Sequence, residues 1–107
     1  MPTVRETFDL MPSKLKADRA QGMNAVFQYE ITGEGGGKWY LTVKDGACTV
    51  TEGEAPSPNL TVTMTAQDWL DLVASKLNPQ MAFMSGKLKL KGDMGLAMKL
   101  GSLFSLG

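Results

Sequence analysis

The chain contains no histidine and one cysteine among its 107 residues, and both shortages exclude chemistry. Without imidazole there is no Ser-His-Asp or Cys-His nucleophile and no His-ligated metal centre. A single thiol, Cys48, permits neither an intramolecular disulfide nor a thiolate zinc cluster, and it fits a reducing compartment. Eleven Lys and Arg balance eleven Asp and Glu, so no global field points toward nucleic acid. No apolar run reaches the ~18 to 20 residues of a spanning helix. Met1 to Leu10 carries Pro2, Arg5, Glu6 and Asp9 where a secretory leader would be apolar. A cytoplasmic location is therefore expected. The acids are scattered over predicted turns, caps and outer faces, with no pair spaced to share a proton. The catalytic alternative left open is a cone-shaped, isomerase-like enzyme. It would use one Asp with Tyr29 or Tyr40; separately, the fold could draw an acid such as Glu30 or Glu52 into a pocket, though nothing in the sequence requires it.

What the chain has in excess is apolar surface near its end. From Met81 to Phe104 it reads MAFMSGKLKLKGDMGLAMKLGSLF, with four of the eight methionines. From Met94 to Phe104 the one charged side chain is Lys99. A helix that is apolar all round must be covered by something: a partner subunit, a membrane or a bound apolar ligand. Charge is also unevenly spread. Five acids face one lysine between Lys44 and Asp71, whereas four lysines face Asp93 alone from Gly86 onward.

The length suits one domain spanning residues 1–107 with a modest core. Val4, Phe8 and Met11 lie at helical spacing, and Pro12 is expected to end that helix. In Ala25–Ile31 the residues Phe27, Tyr29 and Ile31 share one strand face and Gln28 and Glu30 the other. Gly33 to Gly37 reads as a turn, because no Lys-Ser or Lys-Thr follows as a phosphate loop requires. Asp45-Gly46 predicts a type I′ hairpin pairing Lys44 with Ala47 and Trp39 with Glu52. Trp39, Leu41, Val43, Cys48 and Val50 then point inward, which makes Cys48 a small apolar filler. Leu60, Val62 and Met64 alternate with threonines in a fourth strand. Thr65 and Asp68 open a helix to about Leu77, with Trp69, Leu70, Val73 and Leu77 inward. Asn78-Pro79 starts a short helix that stops at Gly86. Lys87 to Lys91 alternates as a fifth strand, and Asp93 caps the last helix. The fold class is α+β: a single layer of mostly antiparallel five-stranded sheet with helices packed on one face.

The run Phe83-Met84-Ser85-Gly86-Lys87-Leu88-Lys89-Leu90-Lys91-Gly92-Asp93, then Met94, Leu96, Ala97, Lys99 and Leu100, resembles the C-terminal signature of the sterol carrier protein type 2 lipid-transfer domain family. That pattern is an aromatic, a short gap, Gly-Lys-apolar-Lys-apolar-x-Gly-Asp and a Met/Leu/Ala-rich helix. Met23 to Tyr29, the Trp39 to Val50 hairpin, Asn59 to Val62 and Thr65 to Trp69 are similar to upstream parts of the family. The resemblance implies a non-catalytic domain, without cofactor or metal, that binds and transfers a fatty acid, fatty acyl-CoA or sterol-like ligand in an apolar tunnel between helices and sheet. Peroxisomal members end in a Ser-Lys-Leu-type address, whereas this chain ends Ser105-Leu106-Gly107. A stand-alone member outside the peroxisome is expected.

Methionine is unbranched and polarizable, so a Met-lined wall adapts to chains of varied shape. Gly95 and Gly101 each cost about 1 kcal/mol relative to Ala within a helix, which loosens the last helix as a lid requires. The expected lining is Val62, Trp69, Val73, Phe83, Met84, Leu88, Leu90, Met94, Ala97, Met98, Leu103 and Phe104. A dry, empty cavity of roughly 300 Å³ would cost on the order of 7 kcal/mol, which rivals the stability of a small domain. The apolar site should thus be filled, collapsed or covered. Lys87, Lys89 and Lys91 form a basic stripe able to touch an anionic membrane surface or the phosphates of CoA, or simply to discourage edge pairing. The competing reading of the apolar helix is a homo-oligomerisation or regulatory module, such as a homodimer, in which a partner chain covers it.

Overall fold

A computed structural model describes residues 3–103 apart from 17 and 19, with side chains described up to 99. In chain order the elements are α1 (Val4–Lys14), β1 (Asn24–Thr32), β2 (Gly37–Lys44), β3 (Ala47–Glu52), β4 (Leu60–Thr65), α2 (Ala66–Val73), α3 (Pro79–Met84), β5 (Lys89–Gly92) and α4 (Met94–Leu103). The strands form one sheet in the order β3-β2-β1-β4-β5. β1 and β4 run parallel, and the other neighbours are antiparallel. This is the expected α+β, mostly antiparallel five-stranded arrangement.

The hairpin has the predicted register, with Lys44 opposite Ala47 and Trp39 opposite Glu52. Asp45 and Gly46 take φ angles of 49° and 83°, as a type I′ turn requires. Strand alternation puts Phe27, Tyr29, Ile31, Trp39, Leu41, Val43, Leu60, Val62 and Met64 into one buried core. From the helices, Val4, Phe8, Met11, Trp69 and Leu72 complete it. Its centre is an aromatic stack. Phe8 lies 4.8 Å from both Trp39 and Trp69, nearly parallel to each. Tyr29 meets Phe8 and Trp69 edge-on at 5.2 and 5.3 Å. Each such pair adds about 0.5–1.5 kcal/mol beyond area burial. The buried Trp69 Nε1 donates to Thr7 Oγ1 at 2.7 Å, and that hydroxyl donates to the Val4 carbonyl at 2.6 Å. α1 and α2 are thereby locked together over the sheet.

Several boundaries differ from expectation. α1 passes through Pro12 and ends at Lys14, because a proline in the last turn removes one hydrogen bond without stopping the helix. The Ser13 hydroxyl donates to the Leu10 carbonyl, and the Leu15 N–H to that of Pro12. The helix starts at a capping box between Thr3 and Glu6. α2 ends at Val73 and not near Leu77. Ser75 turns left-handed with φ 61°, and the N–H groups of Lys76 and Leu77 fold back onto the Asp71 carbonyl. β5 begins at Lys89 and not at Lys87, since the Lys87 and Leu88 N–H groups are taken by the Ala82 carbonyl.

Gln28 lies on the outer sheet face yet is only 2% exposed. The connection from β3 to β4 crosses above it. Its Nε2 donates to the carbonyls of Trp39 and Gly53, and its Oε1 accepts from Ala55 N–H at 2.7 Å. At the end of that connection Asn59 joins three elements. Its N–H donates to the Val26 carbonyl, its Oδ1 accepts from Val26 N–H, and its carbonyl accepts from Asp93 N–H.

Gly92 sits against this joint with φ 119°, and a Cβ there would lie 2.5 Å from the Asn59 carbonyl oxygen. Both the backbone angle and the close approach exclude a side chain. Gly92→Ala should therefore lower the urea-measured stability by at least about 1–3 kcal/mol. Phe8→Ala should cost about 3–5 kcal/mol, and unchanged midpoints in either variant would refute the respective role.

Candidate functional site

The β4–β5 side of the sheet is packed differently from the aromatic side. α3 opens with Asn78 Oδ1 accepting from the N–H groups of Gln80 and Met81, with Pro79 in its first turn. It ends in a Schellman turn: Gly86 N–H donates to the Phe83 carbonyl and Lys87 N–H to that of Ala82. Gly86 takes the left-handed φ of 82° that this ending favours. The buried residue of α3 is the small Ala82, while Met81, Phe83 and Met84 face outward, Met84 at 76% exposure. Ordinary packing would bury the large side chains and expose the small one.

α4 likewise leaves large apolar side chains outside. Asp93 Oδ1 caps it by accepting from Gly95 and Leu96 N–H groups. The helix lies against β4 and β5. Leu96 and Ala97 pack partly on the core, whereas Met94 and Met98 are exposed, Met98 at 86%. Four methionines and a phenylalanine on the two helices that enter and leave β5 are thus left in solvent.

The expected lining residues divide accordingly. Val62 and Trp69 are buried in the solid core, and Trp69 is committed to Phe8 and Thr7. Val62 is opposite Leu90 in the β4–β5 register. Val73, Leu88, Leu90 and Ala97 are half-buried against the core, and Phe83, Met84, Met94 and Met98 are exposed. Leu103 is placed only by the helix that it ends, and Phe104 lies outside the described residues. Met81 was absent from the expected lining. Its exposure comes from Ala82 taking the inward position in so short a helix, which six residues of sequence do not reveal.

The residues weighed for chemistry are divided between the two faces of the sheet. Tyr29 is enclosed by the aromatic core, and burial, with a smaller contribution from Cys48, holds its hydroxyl well above the usual phenol range. Tyr40 is half-buried on the opposite face, Glu30 is half-buried, and the exposed Glu52 pairs with Arg5 at 2.8 Å. Among the described residues no three of His, Cys, Asp and Glu group as metal ligands, and no helix is long and apolar enough to cross a membrane. Burial pushes the Cys48 thiol up to about 11, so it carries its proton at neutral pH.

A profile of the SCP-2 sterol transfer family matches residues 5–105. The chain belongs to that family. Hydroxysteroid dehydrogenase-like protein 2 from Bos taurus is 40% identical over 103 residues, which is 95% of this chain and 25% of that protein. The chain thus spans about a quarter of the length of the curated relatives it matches. Among solved structures, palmitated SCP2L2 from Aedes aegypti superposes with a TM-score of 0.76 at 27% identity, covering 94% of this chain and 93% of that one. The sec-alkylsulfatase Pisa1 from a Pseudomonas species contains a similar unit. It gives a TM-score of 0.79 at 28% identity, covering 99% of this chain but 17% of the enzyme.

One consequence concerns Cys48. Between the ordinary thiol range and about 11, the unfolded chain has lost the proton and the folded chain keeps it, so stability falls as pH rises through that window. Iodoacetamide should label the folded protein slowly until pH approaches about 11, while urea-unfolded chain reacts from about pH 8.5. Equal rates in the two states at pH about 8.5 would contradict a half-buried, protonated thiol.

Proposed function

We propose that this member of the SCP-2 sterol transfer family binds and transfers a lipid (a fatty acid, fatty acyl-CoA or sterol-like ligand) without catalysing a reaction on it. The carrying observation is the exposure of Met81, Phe83, Met84, Met94 and Met98 on α3 and α4. Val62, Val73, Leu88, Leu90 and Ala97 supply the floor, and the ligand bridges from one helix to the other. The last helix then closes over the ligand, with Trp69 behind the wall. The palmitated form of the Aedes aegypti relative supports an acyl chain as the ligand class.

Energetics favour a ligand in this position. Removing a methylene from water gains about 0.8 kcal/mol, so a long acyl chain offsets substantial ordering of α4 and of itself. Methionine side chains adapt to such a chain without a fixed template. The basic stripe Lys87, Lys89 and Lys91, exposed on and beside edge strand β5, is suited to transient contact with an anionic membrane during pickup and delivery. A second copy of the chain could cover the same apolar side chains, which is the oligomerisation reading.

Titration with a fluorescent fatty acid should show saturable binding and raise the melting temperature in excess lipid. Met98→Glu should weaken that binding by at least roughly tenfold, with the fold intact because Met98 is exposed. Absence of saturable binding together with an unmoved melting temperature would overturn the proposal. A dimer whose mass is unaffected by lipid would favour the oligomerisation reading.

A further inference from the structure

At the carboxyl ends of β1 and β4 the structure opens a cleft of about 330 Å³ that mixes charged and hydroxyl groups with apolar surface. The two strands run parallel, with Thr32 in register with Thr65, and the chain turns directly from Thr65 into α2. Such strand ends leave a crevice that loops and helices line. Here Thr32, Thr63, Thr65 and Asp68 form one side, and Lys87 and Lys89 are brought in from the Schellman turn and β5.

Two lysines give the cleft its charge. Among the described residues Arg5 is paired with Glu52 and Lys38 with Glu54, while neither Lys87 nor Lys89 has an ion-pair partner. Two cations against the one carboxylate of Asp68 leave the cleft with net positive charge. Edge protection accounts for Lys89 and Lys91, which stand in β5. It does not account for Lys87, which precedes the strand and is placed by the turn at Gly86. Ser85 also lines the cleft, and it follows directly on the exposed Phe83 and Met84. An apolar surface and a cationic, hydroxyl-lined concavity therefore abut at the end of α3.

We propose that this cleft holds the anionic head group, carboxylate or phosphate, of the amphipathic ligand whose tail lies on α3 and α4. The inference rests on the lipid reading above and adds the polar end of the ligand to it. Lys87 and Lys89 supply charge-assisted hydrogen bonds to the anion. Asp68 opposes it and tunes the site away from indiscriminate anion capture.

The test compares palmitate, hexadecanol and hexadecyl phosphate on the wild type, on Lys87→Gln/Lys89→Gln and on Asp68→Asn, each checked for an unchanged melting temperature. The double variant should bind palmitate and hexadecyl phosphate roughly tenfold more weakly or worse and hexadecanol unchanged. Asp68→Asn should tighten the two anions and leave the alcohol alone. A larger loss for the phosphate supports a phospholipid or acyl-CoA head, and an equal loss supports a fatty acid. If the wild type binds all three ligands and neither variant separates anions from alcohol, the cleft is not the head-group site and the lipid reading stands. If the wild type binds none of the three, the lipid reading fails and this inference fails with it.

Discussion

The architecture depends on one ring. Phe8, carried by α1, is stacked between Trp39 of the sheet and Trp69 of α2, and Thr7 beside it accepts the Trp69 indole hydrogen bond. This arrangement packs the central strands and the first two helices to interior density, where little space remains between side chains. The proposed apolar ligand would lie on the other half of the sheet face. There α3 turns the small Ala82 inward and leaves Met81, Phe83 and Met84 exposed, and α4 leaves Met94 and Met98 exposed. One half of the face supplies stability, and the other retains unspent apolar surface.

The most recognisable stretch of sequence turns out to be mainly an instruction for shape. Gly86 ends α3, Gly92 lets β5 pass under the Asn59 carbonyl, and Asp93 caps α4. Their effect is to hold β5 between two helix termini, with the intervening leucines inward and the lysines outward. The residues suited to a lipid, Phe83, Met84, Met94 and Met98, lie just outside those structural punctuation marks.

Much of this could be read from residues alone. The hairpin register followed from Asp45-Gly46, and the inward strand faces followed from simple alternation. The caps at Thr65, Asn78 and Asp93 were legible as well, because each depends on neighbours in sequence. What escaped depended on distant partners. Gln28 looked solvent-facing until the β3–β4 connection was placed over it. The inward turn of Ala82 at the expense of Met81 and Met84 reflects how a six-residue helix meets the sheet, which no periodicity over so few residues can fix. Trp69 was legible as inward but not as the partner of Thr7, 62 residues away. The head-group cleft joins Thr32, Asp68 and Lys87 from three separate elements, so only its lysines stood out beforehand.

Methionine methyl groups offer the most direct view of the division between packed and unspent surface. With the methionines carbon-13 labelled at the ε-methyl, palmitate should shift the NMR signals of Met81, Met84, Met94 and Met98. Met11, buried in the core beside the aromatic stack, should stay in place. Movement of Met11 with the four others unchanged, or no movement in any of them at saturating palmitate, would contradict the account.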